Sequence, residues 1–495
     1  MLSLLLLLAQ PEYATFELEG WTIHQDKRLL HTEMATALPL LQKQLQQIVR
    51  VVPAEAIKEL KKVPLWFSPE YPGVRPTAEY HPGAGWLRDN KRNPAMAKGI
   101  EFTNVRIFER ESRRMPNFAL HELAHAYHDR VLPGGFGNKE IAAAFEKAKD
   151  AKRYEKVERR DADGKATTEK AYAMNNPMEF FAEQSEAFFS KNDFFPFDRI
   201  QLGIHDPETV KMLKKAWGVS EIERPPETMN LKPFYGKYFD ANGYPVLSSP
   251  KVNDFALKEA GFIIEMLLAR RPDVKRALVE GGSRMVVIGY NEFTTDVPEY
   301  SRMTPKDFWD ARARGLGGSD TDPVVSCAEE NVLSYPGDPY STESIVIHEF
   351  AHSIHLRGVN KVDATFDKRL RAAYDGAMKA GLWKGKYAST NHAEYFAEGV
   401  QSWFDNNRES DHDHNHVNTR AELLAYDPGL AALCREVFGD TELKYTKAPT
   451  RLTGHMAGYD PAKAPTFTWP ERLKKVKEQI KKDAEKRSAG GGSIR

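Results

Sequence analysis

The spacing of apolar and polar positions gives the same order of elements twice along the chain. "ATALPLLQKQLQQIVRVVPAEAIKELKKVPLWFS" and, about 220 residues later, "ALKEAGFIIEMLLARRPDVKRALVEGGSRMVVIG" each place apolar residues three and four apart, then a turn, then a short apolar run. Both predict an amphipathic helix followed by a strand. Downstream, "NFALHELAHAYHDRVLPGG" and "DPYSTESIVIHEFAHSIHLRG" again carry helical spacing. The first stops at a Pro-Gly-Gly run after Leu132. In the second, Ser341 is placed to cap the start, Glu343 to sit in the first turn and Gly358 to end the helix.

The parallel continues in order. "NKEIAAAFEKAKDAKRY" from Asn138 matches "DKRLRAAYDGAMKAGLW" from Asp367. "NNPMEFFAEQSEAFF" from Asn175 matches "TNHAEYFAEGVQSWF" from Thr390, and "IHDPETVKMLKKAWG" from Ile204 matches "AYDPGLAALCREVFG" from Ala425. Only the loops differ in length. The chain therefore reads as two copies of one domain, over 11–225 and 235–445, joined by a proline-containing linker at 226–234. A tail follows at 446–495, in which "WPERLKKVKEQIKKDAEKR" reads as a solvated basic helix and "SAGGGSIR" as disordered.

Charge narrows the partners. Lys+Arg and Asp+Glu both number 70 in 495 residues, a balance without the basic excess of a nucleic-acid binder or a protein drawn to anionic lipid. Residues 1–10 hold the run Leu4 to Leu8, too short to span a bilayer but similar to the core of a secretory signal with cleavage near Ala9 or Gln10, although no basic residue precedes it. The expectation is a secreted or periplasmic protein without a transmembrane segment. Cys327 and Cys434 are the two cysteines, which excludes a CxxC metal site. Export would allow them to pair as a disulfide, and two buried thiols are the alternative.

The chemistry lies in the paired helices. Residues four apart share a helical face, so His121 and His125 can aim ring nitrogens at one metal, as can His348 and His352. Glu122 and Glu349 are rotated by about 100° from the first histidine, beside the metal, where a carboxylate can take a proton from water. This is the HExxH pattern of zinc hydrolases. One copy arises by chance often enough to carry moderate weight; here it survives in both copies although most side chains around it have changed. A catalytic zinc keeps three protein ligands and one open position. "MEFFAEQ" and "AEYFAEG" offer carboxylates at the same spacing, Glu179 with Glu183 and Glu394 with Glu398, one to bind and one to orient a ligand histidine. Phe180, Phe181, Tyr395 and Phe396 between them are expected in the core. His128 and His355, seven residues after the first histidine, are expected beside the metal, as supporting groups rather than as ligands in place of Glu179 and Glu394; as a fourth ligand they would close the site, and the chain would then be a zinc-containing binding or structural protein with one or both sites silent. The cluster "DHDHNHVNTR" at 411–420 reads as a solvated loop.

These motifs resemble the gluzincins, and among them the anthrax-lethal-factor family, which includes the Pro-Pro endopeptidases. The resemblance covers each copy from the HExxH segment through the "FFAE"-like segment. It implies an α+β fold: two tandem zincin-like domains, mostly helical, each with a small mixed sheet. It implies zinc, one per domain, with Glu179 and Glu394 as third ligands and Glu183 and Glu398 as outer carboxylates. Tyr172 and Tyr387, each seven residues before the ligand glutamate, would assist the oxyanion, and the substrate would be a peptide or protein. By the same analogy, edge strands that pair with extended peptide are expected at "GIEFTNVRIF" and "ENVLSYPG". The tandem arrangement departs from the family's usual form and leaves the substrate open. "ERRDADGKATTEK" occurs only in the first copy and "DVPEYSRMTPKDFWDARARGLGGSDTDP" only in the second, so the two specificities are expected to differ.

Overall fold

The protein is described by a computed structural model covering residues 12–489. The leucine run at the start and the final Gly490–Arg495 lie outside the described residues. The chain is α+β and divides into two units, 1–220 with 226–229, and 221–225 with 230–495. The segment read as a linker is thus shared between them, and the tail belongs to the second unit.

In the first unit, strands β1 (Tyr13–Leu18), β2 (Trp21–Asp26), β3 (Leu65–Phe67), β4 (Ala78–Tyr80) and β5 (Ile100–Phe102) form one sheet in the order β1-β2-β3-β5-β4. The central pairs β2·β3 and β3·β5 are parallel and the outer pairs antiparallel. The β2 to β3 crossover is a pair of helices, His31–Val51 and Ala54–Leu60. The apolar stripe Met34, Ala37, Leu41, Leu45 and Ile48 is buried, as the three-and-four spacing requires. A hairpin of β6 (Val157–Arg160) and β7 (Ala166–Glu169) is made by the segment peculiar to this copy.

The second unit repeats the plan. Its sheet contains β8 (Ile222–Glu223), β9 (Lys237–Ala241), β10 (Tyr244–Ser248), β11 (Arg284–Ile288), β12 (Gly315–Leu316) and β13 (Val324–Ala328), in the order β12-β13-β11-β10-β9-β8. Leaving out β8, each strand has a counterpart with the same direction of pairing: β10·β11 and β11·β13 are parallel, β9·β10 and β12·β13 antiparallel. The helices Asp254–Leu268 and Pro272–Glu280 form the crossover.

Several expectations change. The edge strands beside the motif helices are β4 and β12, with β1 and β8 at the opposite edges. Ile100–Phe102 is one strand further in, and "ENVLSYPG" forms a short helix, Glu329–Val332, and a turn. β12 lies inside the segment read as a loop of the second copy. Cys327 and Cys434 are both free and buried. Cys327 sits in β13 against the Met285 sulfur at 3.7 Å, and Cys434 is in the helix Pro428–Phe438, so the disulfide is excluded. Burial pushes both thiols up, as expected of inert core cysteines. The tail is packed down: Leu473 in the helix Glu471–Ala489 is fully buried with Phe293 and Ala311, and Arg472 pairs with Asp310 at 2.9 Å. Among the described residues no helix is long and apolar enough to cross a membrane.

Candidate metal centres

The first motif helix runs Phe118–Arg130 and is capped by Asn117, whose side chain accepts from the Leu120 N–H. Phe118, Leu120, Leu123 and Ala124 anchor it in the core. The glutamate helix Pro177–Phe189 begins at Asn176, which accepts from the N–H groups of Met178 and Glu179, with Pro177 in the first helical position. The same device starts the second glutamate helix, His392–Trp403, where Asn391 accepts from Ala393 and Glu394. Each expected ligand carboxylate is therefore fixed in a capped first turn. Phe180, Phe181, Tyr395 and Phe396 are all fully buried.

These helices bring the expected donors together. Glu179 Oε2 lies 3.2 Å from His121 Nε2 and 3.3 Å from His125 Nε2, and the two nitrogens are 3.2 Å apart. Three donors about 2 Å from a tetrahedral centre stand about 3.3 Å apart, so this triangle fits zinc. In the second unit, Glu394 Oε2 lies 3.1 Å from His348 Nε2 and 3.3 Å from His352 Nε2.

Each first histidine is held from behind by a residue the sequence reading passed over. His121 Nδ1 hydrogen-bonds Glu186 Oε2 at 3.0 Å, with Glu183 further off at 3.5 Å. His348 Nδ1 hydrogen-bonds the Gln401 amide oxygen at 2.8 Å, with Glu398 at 3.6 Å. Gln401 in turn donates to the buried Glu343 at 3.0 Å. Such bonds leave Nε2 free as a ligand. Glu186 and Gln401 stand seven residues after Glu179 and Glu394, two turns along one face, and that spacing was visible in the sequence. Glu183 and Glu398 instead accept from Asn192 and Asn407, both at 3.0 Å.

The second motif helix, Ile345–Ser353, departs from expectation at both ends. It starts after Ser344 rather than Ser341, which frees Glu343 to meet Gln401. It does not stop at Gly358 but widens into a π-type turn over Ile354–Val359 and continues to Val362. Gly358 is there for close packing: a Cβ would come within 2.6 Å of Val274. His128 and His355 hydrogen-bond none of the triangle donors. Both His128 ring nitrogens lack a partner, and the ring packs against Phe136 and Phe181. His355 Nε2 meets Asp367. Burial pushes both imidazoles down to about 4, so they are neutral. The 411–420 loop is only partly solvated: His414 is buried, 2.9 Å from Asp411 and 3.4 Å from Glu398.

The electrostatics favour a cation. Burial alone would lower His121, but Glu179 and Glu186 outweigh it and raise the imidazole well above its ordinary value. Burial likewise works against Glu179, yet His121 and His125 pull it far below the usual carboxylate range. Burial lifts Glu122 and Glu186 to about 7. His348, Glu394 and Glu349 shift in the same directions. A cage that stabilises imidazolium this strongly also stabilises a divalent ion. By contrast, the group Glu79, His81 and Glu101 already contains a cation, Arg92, 2.5 and 3.0 Å from the two glutamates.

Each triangle opens into a cleft, of about 810 Å³ in the first unit and about 570 Å³ in the second. Tyr172 and Tyr387 line them, the former exposed and the latter half-buried. Burial, then the charge of Glu179 or Glu394, raises both phenols, so they remain protonated donors. β4 borders the first cleft, and its Tyr80 N–H donates to Glu122 Oε2 at 2.8 Å. β12 and the Gly317 that follows it border the second: a Cβ at Gly315 would strike Ile345 at 2.5 Å, and one at Gly317 would strike His352 at 2.7 Å. The unit-specific hairpin contributes Arg159 and Glu169 to the first cleft, and the second-copy segment contributes Arg312 to the second.

No protein-family model matches the chain, and no curated protein does. Among solved structures it is similar to the Pro-Pro endopeptidase (PPEP-2) from Paenibacillus alvei, at 17% identity and a TM-score of 0.29 over 39% of this chain and 97% of that one. Likeness at that level leaves the function to be argued from the residues.

Proposed function

We propose that the chain is a zinc-dependent hydrolase of peptide or amide bonds, with one site in each unit. The observation that carries this reading is the donor triangle with a half-buried glutamate beside it, formed twice and each time at the floor of a cleft. His121, His125 and Glu179 hold the metal in the first site, and His348, His352 and Glu394 in the second. Bound zinc supplies Lewis-acid polarisation of the scissile carbonyl and acidifies water. Glu122 and Glu349 accept the proton from the attacking water and return it to the leaving amine. The Tyr172 and Tyr387 hydroxyls donate to the oxygen on which negative charge develops. β4 and β12 offer their backbone to an extended substrate.

Replacing both general bases, Glu122→Gln with Glu349→Gln, should preserve zinc content and abolish peptide turnover, a loss on the order of 10³-fold or more for a missing proton acceptor in an excluded-water site. Zinc analysis together with cleavage of a peptide library checks this. A double variant that keeps parental turnover would sink the mechanism. Each single variant then reports the specificity of the remaining site.

A further inference from the structure

The second unit contains another convergence of metal-binding atoms, away from the triangle. His355 Nε2 and His392 Nε2 point at the same carboxylate oxygen, Asp367 Oδ1, at 3.0 and 3.2 Å. The three donor atoms all lie within 4.8 Å of one another, and the two rings stand at 85°. The other Asp367 oxygen is engaged by Arg371 Nε at 2.7 Å, which turns Oδ1 toward the histidines. His355 is fully buried, whereas the His392 and Asp367 side chains are 16% and 31% exposed, which leaves a solvent path for an ion and its remaining water ligand.

The first copy acts as an internal control. The counterparts of His355, Asp367 and His392 are His128, Asn138 and Pro177. There the histidine is kept, but the other two donors are absent, and both nitrogens of His128 have no partner. Two substitutions, 25 residues apart in sequence, meet at one point in space in the second unit alone. They also tie together three elements: the π-type turn, the helix Phe366–Lys379 and the start of the second glutamate helix.

We propose that His355, Asp367 and His392 form a third metal site, specific to the second unit, that takes a zinc-like divalent cation. Two imidazoles and one carboxylate are a zinc donor set, and donor separations of 3.0 and 3.2 Å match the tetrahedral edge of about 3.3 Å. The ion braces the first turn of the helix that carries Glu394. The assignment does not require either triangle to be catalytic.

The test uses the full chain, loaded with zinc, freed of excess by gel filtration and analysed for zinc per protein. His392→Pro installs the residue the first copy carries, at a helix position where proline is favoured, so it removes the donor without threatening the fold. Asp367→Ala removes the second donor. Each variant should hold one zinc fewer per chain than the parent. The zinc-induced rise in Tm should also shrink, while the melt of the His392→Pro variant in EDTA stays at or above the parent's. Either variant retaining the parental zinc content overturns the proposal. The His121→Ala, His348→Ala double variant separates the two readings. Zinc lost there belongs to the triangles, and zinc that remains there but disappears on adding His392→Pro belongs to the third site.

Discussion

At the scale of single residues, the two sites are set by carboxylates placed where burial and histidine charge pull in opposite directions. Glu122 is the one whose titration governs chemistry. Burial lifts it to about 7, and it must be ionised to accept a proton. In a Glu349→Gln background, which isolates the first site, kcat/KM should fall on the acid side as Glu122 takes up its proton, at a pH below about 7 because bound zinc favours the carboxylate. A profile with no acid limb at any pH where zinc stays bound would rule out Glu122 as the base. The convergence of His121, His125 and Glu179, and of His348, His352 and Glu394, was readable in part from sequence because residues four apart on a helix share a face. Glu186 and Gln401 obey the same rule and could have been read the same way. Glu343 could not, since it reaches Gln401 across 58 residues, nor could the approach of His414 to Glu398, which depends on how a long loop folds back.

At the scale of elements, the helices announced themselves and the edge strands did not. β4 and β12 are three and two residues long, too short for alternation to register. The glycines of "GLGG" look like a loop in sequence. In the structure they let a strand lie flat against the motif helix. Gly317→Ala, one residue past the end of β12, places a methyl group against the His352 ring, and a buried helix does not yield easily. The second site should lose zinc affinity by roughly tenfold or more, about the effect of displacing one ligand by a few tenths of an ångström, while the first is untouched. Competition with a chromophoric chelator reads this directly, and unchanged affinity would show that the strand can shift away. Gly358 teaches the converse: a glycine positioned like a helix stop instead permits two helices to touch.

At the scale of the whole molecule, the pattern of two copies is present in sequence, sheet topology and site. The tail helix was read from its sequence and is mostly exposed, but its charge gave no hint that Leu473 and Arg472 fasten it to the second unit. The buried titratable groups also make stability depend on metal and pH together. His121 is raised when folded, so its contribution is complete below about 6.5, the ordinary value, and is lost as pH climbs through the folded one. Glu122 and Glu186 are raised from 4.5 to about 7, so the folded state keeps protons that the unfolded chain releases, and stability falls as pH rises across that interval. Both effects have the same sign. Metal-free protein should melt several degrees lower at about pH 8 than at about pH 6, and zinc should raise Tm more at the higher pH, because ligands must be deprotonated to bind it. Calorimetry with EDTA or zinc at the two pH values checks this; a metal-free Tm that rises with pH would contradict it.

The pairing of His121 with Glu186 and of His348 with Gln401 has a consequence for how the molecule meets scarcity. In the first unit a carboxyl group, Glu186, backs His121 Nδ1 directly at 3.0 Å; in the second the neutral amide of Gln401 takes that place at 2.8 Å, and the Glu398 carboxyl stands further off at 3.6 Å. The histidine with the carboxylate behind it is the more basic ligand. As free zinc falls, the second triangle should empty before the first, so the half-loaded chain is a defined species with one working cleft rather than a random mixture. Gln401→Glu should narrow the interval between the two losses, and a stepwise chelator titration in which both triangles empty together in the parent chain would refute the ordering. The duplication would then give one polypeptide two thresholds for the same metal.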